Sequence, residues 1–131
     1  MGERLTGLAR LRAALGHSSR GLRDAWREQE AFRLNALAAV AAVPAALLLG
    51  HGAVERALLI GSVLLIVIVE LLNSAIEAAI DRIGPEWHLL SRQAKDYGSA
   101  AVLIATLLAV LIWALVLVER FGADSAIAAG A

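Results

Sequence analysis

Residues 57–80 read ALLIGSVLLIVIVELLNSAIEAAI, an apolar run whose second half carries Glu70, Asn73 and Glu77 and which is followed at once by Asp81. The spacings of three, four and four residues put all four side chains on one stripe of a helix, about 16 Å long. Twelve Leu, Ile and Val residues between Leu58 and Leu72 contribute on the order of 4 to 7 kcal/mol of insertion free energy. That outweighs one buried carboxylate, at roughly 2.5 to 3.5 kcal/mol on the same kind of scale, but not three. The acids must therefore face protein, water or a bound group. This run is a membrane span with a functional edge.

The rest of the chain fits that reading. Sixty per cent of its 131 residues are hydrophobic and mean hydropathy is +0.72, with the apolar residues gathered into long blocks, as in membrane proteins. The expected architecture is all-α and single-domain over residues 1–131. It has an N-terminal amphipathic surface region over residues 1–30, spans over about 31–49, 54–82 and 97–120, and a disordered small-residue tail from 123 to 131. Leu8, Leu11 and Leu15, then Leu22 and Trp26, recur at helical spacing on either side of Gly16-His17-Ser18-Ser19, which punctuates the helical pattern. Pro44 is expected to kink the first span, Gly50-His51-Gly52 to make a short turn, and Gly84-Pro85 to stop the second span. An arginine-rich stretch precedes the first apolar block, which argues against a cleaved secretory signal. The sequence has no cysteine, so disulfides and thiolate metal sites are excluded.

Formal charge is zero, but its distribution is not even. Arg4, Arg10, Arg12, Arg20, Arg23, Arg27 and Arg33 precede or begin the first span, and Arg82, Arg92 and Lys95 flank the second loop. Only Arg56 and Arg120 lie at the other ends. The positive-inside rule predicts a cytoplasmic N-terminus, a cytoplasmic loop over 82–96 and an external C-terminus. Trp26 and Trp87 then fall at the cytoplasmic interface, with Trp113 near the opposite one as an anchor.

In that topology Glu70 is the deepest acid, while Glu77 and Asp81 approach the cytosol. A carboxylate at lipid depth could accept a proton from a hydroxyl held there, and those nearer water could hold Mg²⁺, which takes hard oxygen ligands and often enters with substrate phosphates. This points to phosphoryl transfer from a nucleotide to a membrane-embedded alcohol. A proton or cation path, or a polar helix–helix seam, would explain the same stripe. There is no Walker loop, Gly-rich kinase loop or zinc motif, and nothing suggests nucleic-acid binding.

The segment from Glu70-Leu-Leu-Asn73 through Glu77 to Asp81-Arg82, followed by Ala94-Lys95-Asp96-Tyr97-Gly98-Ser99, resembles the signature of the small prokaryotic diacylglycerol kinases. Gly21-Leu22-Arg23-Asp24-Ala25-Trp26 and Ala31-Phe32-Arg33 are similar too, so the resemblance covers roughly residues 7–122. It implies a homotrimeric enzyme of the bacterial inner membrane that moves the γ-phosphate of ATP to diacylglycerol, giving phosphatidate, with Mg²⁺ as cofactor and sites shared between protomers. It implies Glu70 as general base, also beside the lipid, and Glu77 as a metal ligand. Asn73, Lys95, Asp96 and the loop acid Glu86 would serve the nucleotide, Arg10 and Ser99 the lipid substrate, and Asp81 a supporting role. Related proteins phosphorylate undecaprenol, and an ion or proton pathway is the reading from another class. One departure stands out: the family's N-terminal metal-binding Glu falls on Gln29, flanked by Glu28 and Glu30, and its next acid falls on Asn35. A neutral amide is a weaker Mg²⁺ ligand, so Glu28 or Glu30 is expected to take its place.

Overall fold

The computed structural model of the chain describes residues 7–129, with side chains from 7 to 122. Four helices follow in order: α1 Gly7–Glu28, α2 Glu30–Leu49, α3 Ala53–Ile83 and α4 Leu89–Ala129. α2, α3 and the Leu89–Gly122 part of α4 are long and apolar enough to cross a membrane. α3 packs on α2 and, more extensively, on α4, while α1 touches α2.

The packing inverts that of a soluble bundle. Leu103, Ile104, Leu107, Val110 and Leu111 of α4 are exposed, as are Leu37, Val40, Leu47 and Leu48 of α2. The interior holds the alanines Ala25, Ala39, Ala46, Ala105 and Ala109, together with Phe32, Leu59 and the polar Ser62, Glu70, Asn73 and Ser74. In lipid, bulky apolar side chains gain nothing by leaving the surface, so helices associate through small residues that let backbones approach and through internal hydrogen bonds. Trp113 of α4 is one such tie: its Nε1–H donates to the Leu59 carbonyl of α3 at 3.3 Å. The residue expected to anchor the chain at an interface thus joins two helices.

Several local expectations change. α1 runs unbroken through Gly16 to Ser19, because the polar groups there bond along the helix: Ser19 Oγ donates to the Gly16 carbonyl at 3.1 Å and Arg20 meets His17 Nδ1 at 2.9 Å. Pro44 keeps its expected place within the first span, inside α2. α4 starts at Leu89, ahead of the apolar block that carries the expected third span, with the His88 Nδ1 accepting the Leu90 N–H at 3.2 Å and so serving as its cap. At the other end α4 continues to Ala129, through most of the stretch expected to be without structure; 130 and 131 lie outside the described residues. Alanine is the best helix former, so a helix that enters this stretch has no local reason to stop.

Far from the acidic stripe, the α2–α3 turn is closed by arginines. Arg56 Nε donates to the Gly50 carbonyl at 3.1 Å, and Arg120 of α4 donates to the Leu49 carbonyl at 2.5 Å. These bonds satisfy carbonyls that the end of α2 leaves open.

Candidate active site

Exposure rises along the α3 stripe. Glu70 and Asn73 are buried, at 5% and 8% exposure, Glu77 is half-buried and Asp81 is exposed. The acidic edge thus faces protein at its deep end and opens at its Gly84 end. Glu70 meets α2, where Asn35 Nδ2 donates to its Oε2 at 3.3 Å. One turn on, Asn73 Nδ2 donates to Glu77 Oε1 at 3.0 Å.

Asn73 also fixes how α4 approaches. Its Oδ1 is buried with no hydrogen-bond partner among the described residues and sits against Gly98; a Cβ on Gly98 would lie 2.1 Å from it. Any larger residue there would have to displace the amide or lift α4, so the present crossing of α3 and α4 has an amide pressed against a glycine. A bare buried carbonyl oxygen is costly, and this one lies on the stripe that carries Glu70 and Glu77.

The open end gathers the cationic groups. Lys95, one turn of α4 before Gly98, donates to Asp81 across the turn, while Arg92 pairs with Asp96 along α4. Both pairs are largely exposed, so solvent screens them and a phosphate can compete for the cations. The connection between α3 and α4 leaves the helix at Gly84, whose φ of +146° is a conformation that suits glycine. With Asp81, Arg92 and Lys95, the connection's Glu86 and His88 line an open cleft of about 300 Å³. The structure therefore joins Lys95 and Glu86 to the Asp81 end of the stripe, and it turns Asp96 toward Arg92.

The N-terminal acids are sorted by a helix break. Gln29 is extended, at φ −108° and ψ 106°, between α1 and α2. Arg33 secures the break by donating to the carbonyls of Trp26 and Arg27, at 3.1 and 3.2 Å. Glu28 and Gln29 line a groove of about 600 Å³ between α1 and α3, with Asp24, Ser74, Ala75 and Ala78; Glu30 is exposed on the first turn of α2 and does not line it. Among the described residues no group of three or more His, Asp or Glu side chains converges on one point. The donor chemistry nonetheless suits Mg²⁺, which is commonly held by one or two carboxylates together with substrate phosphates rather than by an all-protein cage. Arg10 on α1 and Ser99 beside Gly98 are both exposed.

Sequence reasoning did not place Asn35 in the site, nor the pairing of Lys95 with Asp81. For Asn35 a signal existed: it is a polar residue just inside the first apolar block.

The family model for prokaryotic diacylglycerol kinase matches residues 16–117. The chain belongs to this family. It is 52% identical over 122 residues to the diacylglycerol kinase of Escherichia coli (strain K12), covering 93% of this chain and 100% of the relative. It is 48% identical to that of Pseudomonas aeruginosa over 86% of this chain and 91% of the relative, and 44% identical to that of Haemophilus influenzae over 82% and 92%. Within the family match lie the α3 stripe, Asn35, Lys95 and Gly98, whereas Arg10 precedes it. A chain of this family with three such helices is a multi-pass membrane protein.

Proposed function

We propose that this diacylglycerol kinase moves the γ-phosphate of ATP to the free hydroxyl of diacylglycerol at the Gly84 end of its spans, which faces the cytosol, with Mg²⁺ as cofactor. The observation that carries this reading is the α3 edge: buried against protein at Glu70, open at Asp81, and met there by Lys95. That order suits a reaction between an oil-soluble alcohol and a water-soluble nucleotide.

In the proposed step Glu70 takes the proton of the lipid hydroxyl as that oxygen bonds to the γ-phosphorus. The bond from phosphorus to the β–γ bridging oxygen breaks, and ADP leaves with the electron pair. Phosphoryl transfer depends on positioning and charge stabilisation rather than on covalent chemistry from the protein. Lys95 exchanges Asp81 for phosphate and offsets the developing charge, while Asn73, Asp96 and Glu86 orient the nucleotide. Glu77, with Glu28 from the α1 groove, would hold Mg²⁺, which when bound neutralises phosphate charge and polarises the transferred group. Arg10 and Ser99 would lie near the lipid. The oligomer we propose is the homotrimer that the resemblance implies, with the apolar faces of α2 and α4 shared between lipid and neighbouring copies.

The test is purified protein in lipid, given Mg-ATP and either diacylglycerol or undecaprenol. We expect phosphatidate, and a fall of at least about 100-fold in folded Glu70→Gln, the lower end of what a general base contributes. Near-normal turnover in that variant removes the base assignment, and ion flux without ATP consumption removes the kinase reading.

A further inference from the structure

Phe32, Asn35, Ala39, Ala42 and Ala46 share one face of α2, each buried or half-buried, and from it Asn35 reaches α3. Asn35 is the one polar member of that face, and an amide there is an expensive choice. It loses its solvation inside an apolar helix, whereas a leucine would fill the same space without that cost. Its Nδ2 is spent on a single partner, the Oε2 of Glu70, 35 residues away on α3.

The chemistry of that bond is directional. An ionised carboxylate only accepts, and the amide nitrogen only donates, so Asn35 is matched to Glu70 in the form that can take up a proton. The terminal torsion of a glutamate is broad and two-fold, so a carboxylate in the seam between two helices does not by itself point one oxygen anywhere. A donor on Oε2 stops that swivel and leaves Oε1 as the oxygen free to meet a hydroxyl. The neighbouring polar pair does not duplicate this, because the Nδ2 of Asn73 is directed to Glu77.

We propose that Asn35 is a positioning residue of the phosphoryl-transfer reaction: its side-chain amide fixes the rotamer of Glu70 from the neighbouring helix and so selects the oxygen that receives the lipid proton. This rests on Glu70 being the base. Because it acts through Glu70, its loss changes the rate of the bound complex and not the binding of either substrate.

The experiment compares Asn35→Leu, Asn35→Asp and Asn35→Gln in the full chain in lipid, with folding monitored by thermal unfolding. Asn35→Leu removes the donor while keeping a four-atom side chain branched at Cγ; Asn35→Asp keeps the size but sets acceptor against acceptor, and reports independently if the leucine variant fails to fold. Both should lose about 10-fold or more in kcat with KM for ATP and for diacylglycerol unchanged, the pattern of a lost interaction that matters only in the transition state. Asn35→Gln, which retains a donor, should recover kcat to within about 3-fold of the original chain, and Asn35→Leu placed on Glu70→Gln should cost nothing further. Full turnover in folded Asn35→Leu or Asn35→Asp overturns the proposal. So does an equally poor Asn35→Gln, or a loss that adds to that of Glu70→Gln. Full turnover in Glu70→Gln would instead sink the base assignment, so the two failures are distinguishable.

Discussion

Replacing Gly98 by alanine should damage both the α3–α4 seam and the chemistry. The added methyl would lie 2.1 Å from Asn73 Oδ1 and 3.2 Å from its Cγ, but 3.8 Å from its Cα. Ordinary heavy-atom contact is about 3.5 Å, so the amide has to retreat by roughly 1.4 Å or α4 has to lift by a similar distance. The first route breaks the 3.0 Å bond from Asn73 to Glu77; the second opens the packing at Ala105 and Ala109, both buried. Overpacking of this kind costs about 1 to 3 kcal/mol. We expect a loss of that size in denaturant titrations in mixed micelles, with a fall in kinase turnover measured at full folding. Because the clash is with the amide and not with the backbone, Asn73→Ala should relieve it. The double variant should be more stable than the sum of its singles by more than about 0.5 kcal/mol, yet stay poorly active. Unchanged stability and turnover in Gly98→Ala, or strictly additive effects in the double variant, would refute this account of the crossing.

The exposed Lys95–Asp81 pair gives a contrast between stability and activity. Lys95→Ala should shift stability by no more than about 1 kcal/mol, as for other exposed ion pairs, while sharply reducing phosphoryl transfer; a large loss of stability with normal turnover would show the pair to be structural. Around the Gln29 break, Glu28→Ala should raise the Mg²⁺ concentration needed for half-maximal activity more than Glu30→Ala does, since Glu28 lines the groove and Glu30 does not, and Gln29→Glu should lower it. If neither alanine change alters metal dependence in the kinase assay, the substitution of Glu28 for the missing acid is wrong.

The stripe and the spans were readable in the sequence because lipid imposes a single strong rule: long apolar blocks insert, and an acid inside one must be accommodated. Gly84-Pro85 was readable as a stop for a similar local reason. Pairings across helices were not. Asn35 and Glu70 are separated by 35 positions, and no periodicity states which face of α2 meets which face of α3. The early start of α4 escaped because hydropathy marks where a helix enters lipid, not where it begins; Ser91, Arg92 and Gln93 are polar but helical. The continuity of α1 was missed because glycine and serine read as punctuation until the bonds made by Ser19 and Arg20 are seen.

Lys95 belongs to the same unbroken rod as the third span, for α4 has no joint between Leu89 and the apolar residues beyond Gly98. A rod transmits rotation to its tip. Pivoting α4 by ten degrees about its buried Ala105 would sweep the backbone at Lys95 through about 2.6 Å, from ten residues at 1.5 Å each. Gly98, nearer the pivot, would move about 1.8 Å, from seven residues at the same rise. The ammonium is thus mounted on a lever whose long arm lies in oil, and whatever sets the inclination of that arm also sets how far the charge stands from Asp81.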